Sequence, residues 1–285
     1  MTLLAYGGVK RSNLANALIL GVVFSSLLIF VLAGLPGGLT GLTSREVAGD
    51  FSLGSLLQAA ALMFVAYTGY GRIATLGEEV RAPRRTIPRA IITTLLVVMT
   101  LYVLVALTAA LNLDGTVLRS AGPGLLYAAA NTFAGPWLLV ILTLGALCAM
   151  LSVLLNLVLG LSRVLLAMAM RGDMPEGLAK LNEAGSSPTR AVLVMGIVVA
   201  LITLVGDLGL TWSFSAFTVL CYYALTNLSA LRLSLEERFF PRWVSVAGLL
   251  SCLGLAAFIQ WPVVLVGLGI LLLGFAWYLL RKRFI

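Results

Sequence analysis

The composition of this 285-residue chain is that of an integral membrane protein, because 61% of its residues are hydrophobic and only 11% are charged, against about 45–50% and 25% in soluble domains. Histidine is absent and only 11 acidic residues occur, which argues against membrane-embedded hydrolases and metalloproteases, since these use histidine or paired carboxylates. The net charge of +8 is explained below by membrane topology, so we expect no nucleic-acid partner.

Eight apolar segments follow one another along the chain and predict an all-α membrane protein with about eight spans. The fourth segment is too long for one untilted crossing, so its last turns are expected to project from the membrane. A short interfacial helix is predicted at residues 125–133. The predicted spans cover residues 14–33, 53–76, 90–111, 137–170, 189–205, 211–231, 244–259 and 263–280.

Glycine and proline predict where the spans end. The run from Gly34 to Gly38 is expected to terminate the first span, and Pro83 and Pro88 are expected to limit helix formation in an inner loop at residues 77–88. With the N-terminus inside, seventeen of the nineteen basic residues lie on or towards the inner side. The positive-inside rule therefore predicts that both termini are cytoplasmic.

The second span is interrupted at Ala66-Tyr67-Thr68-Gly69-Tyr70-Gly71. Glycine costs about 1 kcal/mol relative to alanine inside a helix, and backbone inside a bilayer leaves the helix only where it lines a cavity or is buried in protein. We therefore predict a broken helix at residues 64–72, whose freed carbonyls meet the ammonium group of a substrate. The alternative is ordinary close packing of small residues.

Polar side chains elsewhere in the spans have structural and functional interpretations. Arg72 lies one turn beyond the interruption and either snorkels to the inner surface or acts in gating or in binding a substrate carboxylate. Cys148, Ser152 and Asn156 share one helix face, where interhelical hydrogen bonding is the favoured interpretation. The three cysteines of the chain have no metal-ligand spacing, so we expect neither a metal nor a cofactor.

The stretch FVAYTGYGRIATLGEEVRAPRRTIPRAI, from Phe64 onwards, resembles the sixth helix and following loop of amino-acid permeases of the amino acid/polyamine/organocation superfamily. Ser162-Arg163-Val164-Leu165, followed by Gly172, is similar to the end of the family's eighth helix. Gly8-Val9-Lys10 is similar to the start of its fifth. These matches keep the family's order and spacing over essentially the whole chain.

The resemblance implies an all-α transporter fold with two inverted five-helix repeats, of which this chain corresponds to helices five to twelve. Residues 14–33 are then the last helix of the first repeat, residues 53–231 the second repeat, and residues 244–280 a C-terminal pair, all in one membrane domain. The first four helices are expected to be missing, including the broken first helix that binds the substrate carboxylate in relatives.

The resemblance also implies roles for individual residues. Substrate binding is assigned to Ala66, Tyr67, Thr68, Gly69 and Tyr70. Gating at the inner side is assigned to Arg72, Glu78 and Glu79, although a charged solvated loop is the other interpretation of the two glutamates. Ser152 is a weak candidate ligand for a coupling ion. The lysine that replaces sodium in some relatives has no counterpart in residues 14–30, which leaves coupling to protons or sodium open.

These observations predict a permease-like secondary transporter, not an enzyme, that moves an amino acid or amine across the membrane by alternating access. The bacterial plasma membrane is the expected location. Because the first repeat is expected to be missing, the chain is predicted not to complete a transport cycle alone. The alternative is a non-transporting membrane subunit or truncated product that needs a separate chain carrying the first four helices.

Overall fold

The computed structural model describes residues 9–40, 52–70, 80, 82–180, 188–234 and 236–284, of which 86% are helical and none forms a β-strand. Short 3₁₀ turns occur at Phe64–Tyr67, Gly122–Gly124 and Glu176–Ala179. The α-helices, numbered along the described residues, are α1 (Val9–Thr40), α2 (Leu53–Met63), α3 (Pro83–Asn112), α4 (Gly115–Ser120), α5 (Leu125–Phe133), α6 (Pro136–Met170), α7 (Thr189–Val205), α8 (Leu208–Ala230), α9 (Arg242–Ala256) and α10 (Trp261–Phe284).

Helix length and surface composition confirm the predicted all-α membrane class. Among the described residues, five helices are long and apolar enough to cross a bilayer, namely α1, α3, α6, α8 and α10. Three shorter apolar helices accompany them, at Leu53–Tyr67, Thr189–Leu204 and Arg242–Ala256. Many large apolar side chains on the helices are exposed, such as Leu204 at 82% exposed and Met150 at 69%. Extensive exposed apolar surface of this kind is typical of a protein that contacts membrane lipid.

One compact unit comprises Met1–Gly49 and Val80–Leu201. Within it, α1 packs against α3 and α6, and the short α5 contacts all three. Phe30 is fully buried there, and its ring lies 5.5 Å from that of Phe133. The core of this unit is built from Phe30, Val31, Ala109, Leu113, Ala129, Ala130, Leu138 and Leu142.

The predicted end of the first span at Gly34–Gly38 is wrong, because α1 continues to Thr40 with Pro36 inside it. Here the glycines serve close packing. A Cβ on Gly34 would lie 2.5 Å from the Phe133 ring, and one on Gly38 would lie 2.7 Å from Leu111. The side-chain amide of Asn112 donates to the Gly34 carbonyl at 3.0 Å. These tertiary contacts offset the hydrogen bond that a proline removes from a helix.

The predicted loop at residues 77–88 extends too far towards the C-terminus, because α3 already begins at Pro83 and includes Pro88. A proline at the first helical position needs no N–H partner and has its φ preset for the helix. Ala82 precedes it in a left-handed conformation, with φ +50°. Pro88 removes one backbone hydrogen bond near the start of the helix. Because the helix has 30 residues, many other backbone hydrogen bonds remain.

Several other predicted boundaries are confirmed. The helix predicted at residues 125–133 is α5, and the helix predicted at residues 189–205 is α7. Helix α6 ends at Met170, and Gly172, two residues beyond it, has a φ of +81° that suits glycine. The amides of Gly172 and Asp173 donate to the carbonyls of Ala169 and Met168 and complete that helix end.

The second compact unit comprises Asp50–Glu79 and Ile202–Ile285 and contains α2, α8, α9 and α10. Helix α8 lies at its centre, in contact with the other three. Two glycines allow close crossings: a Cβ on Gly248 would lie 2.5 Å from Asn227, and one on Gly267 would lie 2.4 Å from Phe217. The buried core consists of Ala61, Ala216, Phe217, Leu220, Tyr223, Ala224, Cys252, Ile259 and Val263.

Candidate functional site

The apolar helix α2 is broken where the sequence predicts an interruption. It ends at Met63, tightens into a 3₁₀ turn over Phe64–Tyr67, and then becomes extended at Thr68, with φ −89° and ψ 171°. Gly69 follows with φ +111°, a backbone conformation that side-chain-bearing residues rarely adopt. The break therefore lies within the predicted range of residues 64–72.

The hydrogen bonds at the break explain why the helix does not continue. The backbone amide of Thr68 donates to the Val65 carbonyl at 3.1 Å, and the Thr68 hydroxyl donates to the same oxygen at 2.7 Å. In a continuous α-helix that carbonyl would accept from the amide of Gly69 instead. Thr68 therefore satisfies the Val65 carbonyl and releases the Gly69 amide from helical bonding.

Helix α8 supports the turn before the break through a tryptophan. The indole Nε1–H of Trp212 donates to the backbone carbonyl of Leu62 at 2.9 Å. Sequence analysis did not assign Trp212 to the site. Its hydrogen bond ties α8 to α2 one turn before the backbone becomes irregular.

A second aromatic residue of α8, Tyr223, lies against the break itself. Its side chain is only 8% exposed, and its ring centroid lies 5.6 Å from that of Phe64 and 5.3 Å from that of Tyr70. The Tyr223 ring therefore contacts aromatic residues on both sides of Thr68 and Gly69. Sequence reasoning missed this residue, although a phenol inside an apolar span requires a polar partner.

The predicted substrate residues are thus brought together on one segment, but their role in binding stays a prediction. Ala66, Tyr67, Thr68 and Tyr70 are half-buried, and Gly69 is exposed. The segment combines irregular backbone with phenol groups and is supported by apolar helices. Such a surface combines a few polar groups with apolar walls, as sites for small solutes do.

The predicted gating residues Arg72, Glu78 and Glu79 lie outside the described residues. Their roles stay predictions.

Ser152 lies in a separate polar cluster between α1 and α6. Its hydroxyl donates to the side-chain carbonyl of Asn16 at 2.7 Å, and Asn156 Nδ2 donates to the same Asn16 oxygen at 3.2 Å. Asn156 Nδ2 also donates to the Ser152 backbone carbonyl at 2.9 Å. This geometry fits the interhelical hydrogen bonding that the sequence favoured, while the ion-binding role of Ser152 stays a prediction. Asn16 had not been singled out.

Within the described part of the chain, no group of three or more histidine, cysteine, aspartate or glutamate side chains is arranged to hold a metal ion.

Comparison with known proteins gives a match over nearly the entire chain. The family model described as amino acid permease matches residues 1–283. An uncharacterized transporter of Mycobacterium tuberculosis is 38% identical over 283 residues, which are 99% of this chain and 64% of that protein. A branched-chain amino acid permease of Bacillus subtilis is 26% identical over 302 residues, covering 99% of this chain and 62% of the relative.

A plant relative matches over a shorter region. The vacuolar cationic amino acid transporter 2 of Arabidopsis thaliana is 27% identical over 231 residues, or 79% of this chain and 36% of that protein. The chain thus spans less than two thirds of the length of each of these relatives.

Proposed function

The chain belongs to the amino acid permease family, and we propose that the protein carries an amino acid or amine across the membrane by alternating access, without enzymatic chemistry. The substrate site in this proposal is the break at residues 66–70. Relatives named as a transporter and as a branched-chain amino acid permease support the general class. The mechanism and the position of the site are our inference.

The observation that carries this proposal is the irregular backbone of Thr68 and Gly69 within an apolar helix. Leaving the helix inside hydrocarbon costs several kcal/mol for each unsatisfied polar group. A fold retains such a break where the backbone has a ligand to bind, and secondary transporters bind their substrates at discontinuous helices. In the proposal, carbonyls at the break contact the substrate ammonium group.

We propose further that the substrate side chain is uncharged. The described residues at the break and against it are apolar, aromatic or hydroxyl-bearing, namely Phe64, Ala66, Tyr67, Thr68, Tyr70 and Tyr223. A charged side chain buried among them would lose its hydration without a paired charge, which is costly. The Bacillus subtilis relative is named as a branched-chain amino acid permease, and such an uncharged side chain fits this environment.

The remaining inferences concern the setting of the site. We propose a bacterial plasma membrane location with cytoplasmic termini, which the mycobacterial relative and the distribution of basic residues support. We also propose that residues 14–33 complete one five-helix repeat, that residues 53–231 form the second, and that residues 244–280 form a terminal pair.

Uptake into vesicles tests the proposal. The natural polypeptide that carries these residues is reconstituted into liposomes and offered radiolabelled leucine, alanine, lysine, glutamate and putrescine, with empty liposomes as the control. We expect saturable uptake that is highest for a neutral amino acid. If only lysine or putrescine is taken up, the proposal of an uncharged side chain is contradicted. If none of the five compounds accumulates more than in empty liposomes, the proposed substrate class is contradicted.

A further inference from the structure

The backbone carbonyl of Leu62 loses its α-helical donor where α2 tightens. In a continuous α-helix it would accept from the amide of Ala66. Ala66 lies instead in the 3₁₀ turn at Phe64–Tyr67, where an amide bonds to the carbonyl three residues earlier, so its amide is directed to the carbonyl of Met63. The indole Nε1–H of Trp212 donates to the Leu62 carbonyl at 2.9 Å and thus supplies a donor from another helix.

Side chains therefore donate to a backbone carbonyl near each end of the tightened turn. Near its beginning Trp212 donates to Leu62, and at its end the Thr68 hydroxyl donates to the Val65 carbonyl at 2.7 Å. Because a carbonyl without a donor is costly inside hydrocarbon, both bonds favour a departure from the α-helix at this position. The bond from Trp212 also fixes the turn relative to α8.

Helix α8 holds Trp212 in place. The residue lies near the start of the helix, where the Asp207 carboxylate caps the first turn by accepting from the Leu210 amide at 2.9 Å. Ala216, one turn after Trp212, is fully buried in the same core as Ala61, which precedes Leu62 in α2. The indole therefore extends from a capped and packed helix towards a fixed acceptor.

We propose that Trp212 is a positioning residue, whose indole N–H fixes the point at which α2 changes into the 3₁₀ turn and thereby the geometry of the substrate segment at residues 66–70. This inference rests on the proposed function, since it assigns a support to the same site. The residue acts through the Leu62 carbonyl and is not assigned a contact with the substrate. A tryptophan that only anchors a span end at the membrane interface needs no such acceptor.

Two replacements separate the N–H group from the ring. Trp212→Phe keeps an aromatic ring and removes the donor. Replacement of Trp212 by 3-benzothienylalanine, in which sulfur takes the place of the indole N–H, keeps the shape and removes the donor alone. Trp243→Phe is the matched control, because Trp243 lies in the same compact unit, is 69% exposed, and its indole makes no hydrogen bond with the described residues.

Hydrogen–deuterium exchange in nanodiscs tests the support without any substrate. We expect peptides covering residues 62–70 to exchange about fivefold faster in both Trp212 variants, because loss of the donor makes the turn easier to open. Peptides from α9 and α10 should exchange as in wild type, and Trp243→Phe should leave residues 62–70 unchanged. Wild-type exchange at residues 62–70 in the benzothienylalanine protein, or equal acceleration in α9 and α10, would overturn the proposal.

Transport kinetics test the consequence for binding. We expect both Trp212 variants to raise the KM for uptake about fivefold, with a maximal rate within twofold of wild type, and Trp243→Phe to change neither. An unchanged KM in the benzothienylalanine protein, or a fall in maximal rate together with thermal stability, would overturn the positioning role. If wild type transports no amino acid while the exchange result holds, the proposed function fails and the support of the break by Trp212 stands.

Discussion

Gly69 combines a positive φ with open space around it. Its φ is +111°, and no atom lies within 4 Å of where a Cβ would be. Substitution by alanine therefore adds backbone strain without a steric clash. Holding a non-glycine residue in such a conformation costs about 1–3 kcal/mol, so alanine would shift the segment away from its observed geometry.

Gly69→Ala is accordingly expected to lower substrate affinity about tenfold or more, measured as the KM for uptake, through this strain. The matched control is Gly269→Ala in α10, where a Cβ also meets open space and the backbone has no positive φ. The control should remain within twofold of wild type. Equal behaviour of the two variants would show that the conformation of Gly69 does not matter for binding.

The crossing of α1 and α6 depends on the absence of a side chain at Gly145. A Cβ there would lie 2.1 Å from the Ser26 hydroxyl and 2.7 Å from its Cβ, and Ser26 is 3% exposed. Gly145→Ala is expected to destabilise the protein by about 1–3 kcal/mol through overpacking, measured as a lower Tm in detergent. Adding Ser26→Gly should restore much of the loss, because it removes both clashing atoms.

The control for that variant is Gly21→Ala, a position on α1 where a Cβ meets nothing within 4 Å. It should leave the Tm unchanged or raise it slightly, since alanine favours the helix. A Gly145→Ala protein as stable as wild type would contradict the close crossing.

At the residue scale, the sequence located the break but not the side chains that support it. The glycines and threonine at residues 68–71 form a local pattern, which a single stretch of sequence displays. Tyr223 and Trp212 approach the break from another helix about 150 residues along the chain, and no local periodicity encodes such pairings. Asn16, which joins Ser152 and Asn156, was missed for the same reason.

At the scale of the helix, apolar run length predicted most elements well, and glycine and proline misled where tertiary contacts prevailed. The span at residues 189–205 matches α7, because its apolar run is bounded on both sides by polar residues. Helix α1 passes through Pro36 because Gly34 and Gly38 pack against neighbouring helices. The sequence shows the glycines but not the partners that explain them.

The start of α8 provides a test at this scale. The Asp207 carboxylate accepts from the amide of Leu210 at 2.9 Å, and its backbone carbonyl accepts from the hydroxyl of Thr211 at 2.7 Å. Asp207→Ala should lower the free energy of unfolding by about 1 kcal/mol, because a helix N-cap is lost. Thermal unfolding in detergent measures this.

Asp207→Asn is the control, because asparagine caps a helix about as well as aspartate. It should retain most of the wild-type stability. A loss equal to that of Asp207→Ala would attribute the effect to the negative charge and not to the cap.

At the scale of the whole molecule, composition and charge predicted a multi-pass membrane protein, and the apolar helices and the family match agree with it. The mean hydropathy of +1.07 reflects side chains that face lipid as well as those that form the two cores. The proposed substrate was not predictable from composition and charge. In the proposed function its recognition depends on a few polar groups at one break, whereas composition averages over the entire chain.

The central claim is that the break at residues 66–70 is the substrate site. Thiol labelling of a Thr68→Cys variant, in a background without native cysteines, tests it most directly. Thr68 is half-buried at the break, and Ser55→Cys on the exposed part of α2 is the matched control. The transported amino acid should slow labelling at position 68 in a saturable manner and leave position 55 unchanged. Transport that proceeds while labelling at position 68 is unaffected by saturating substrate would contradict the account.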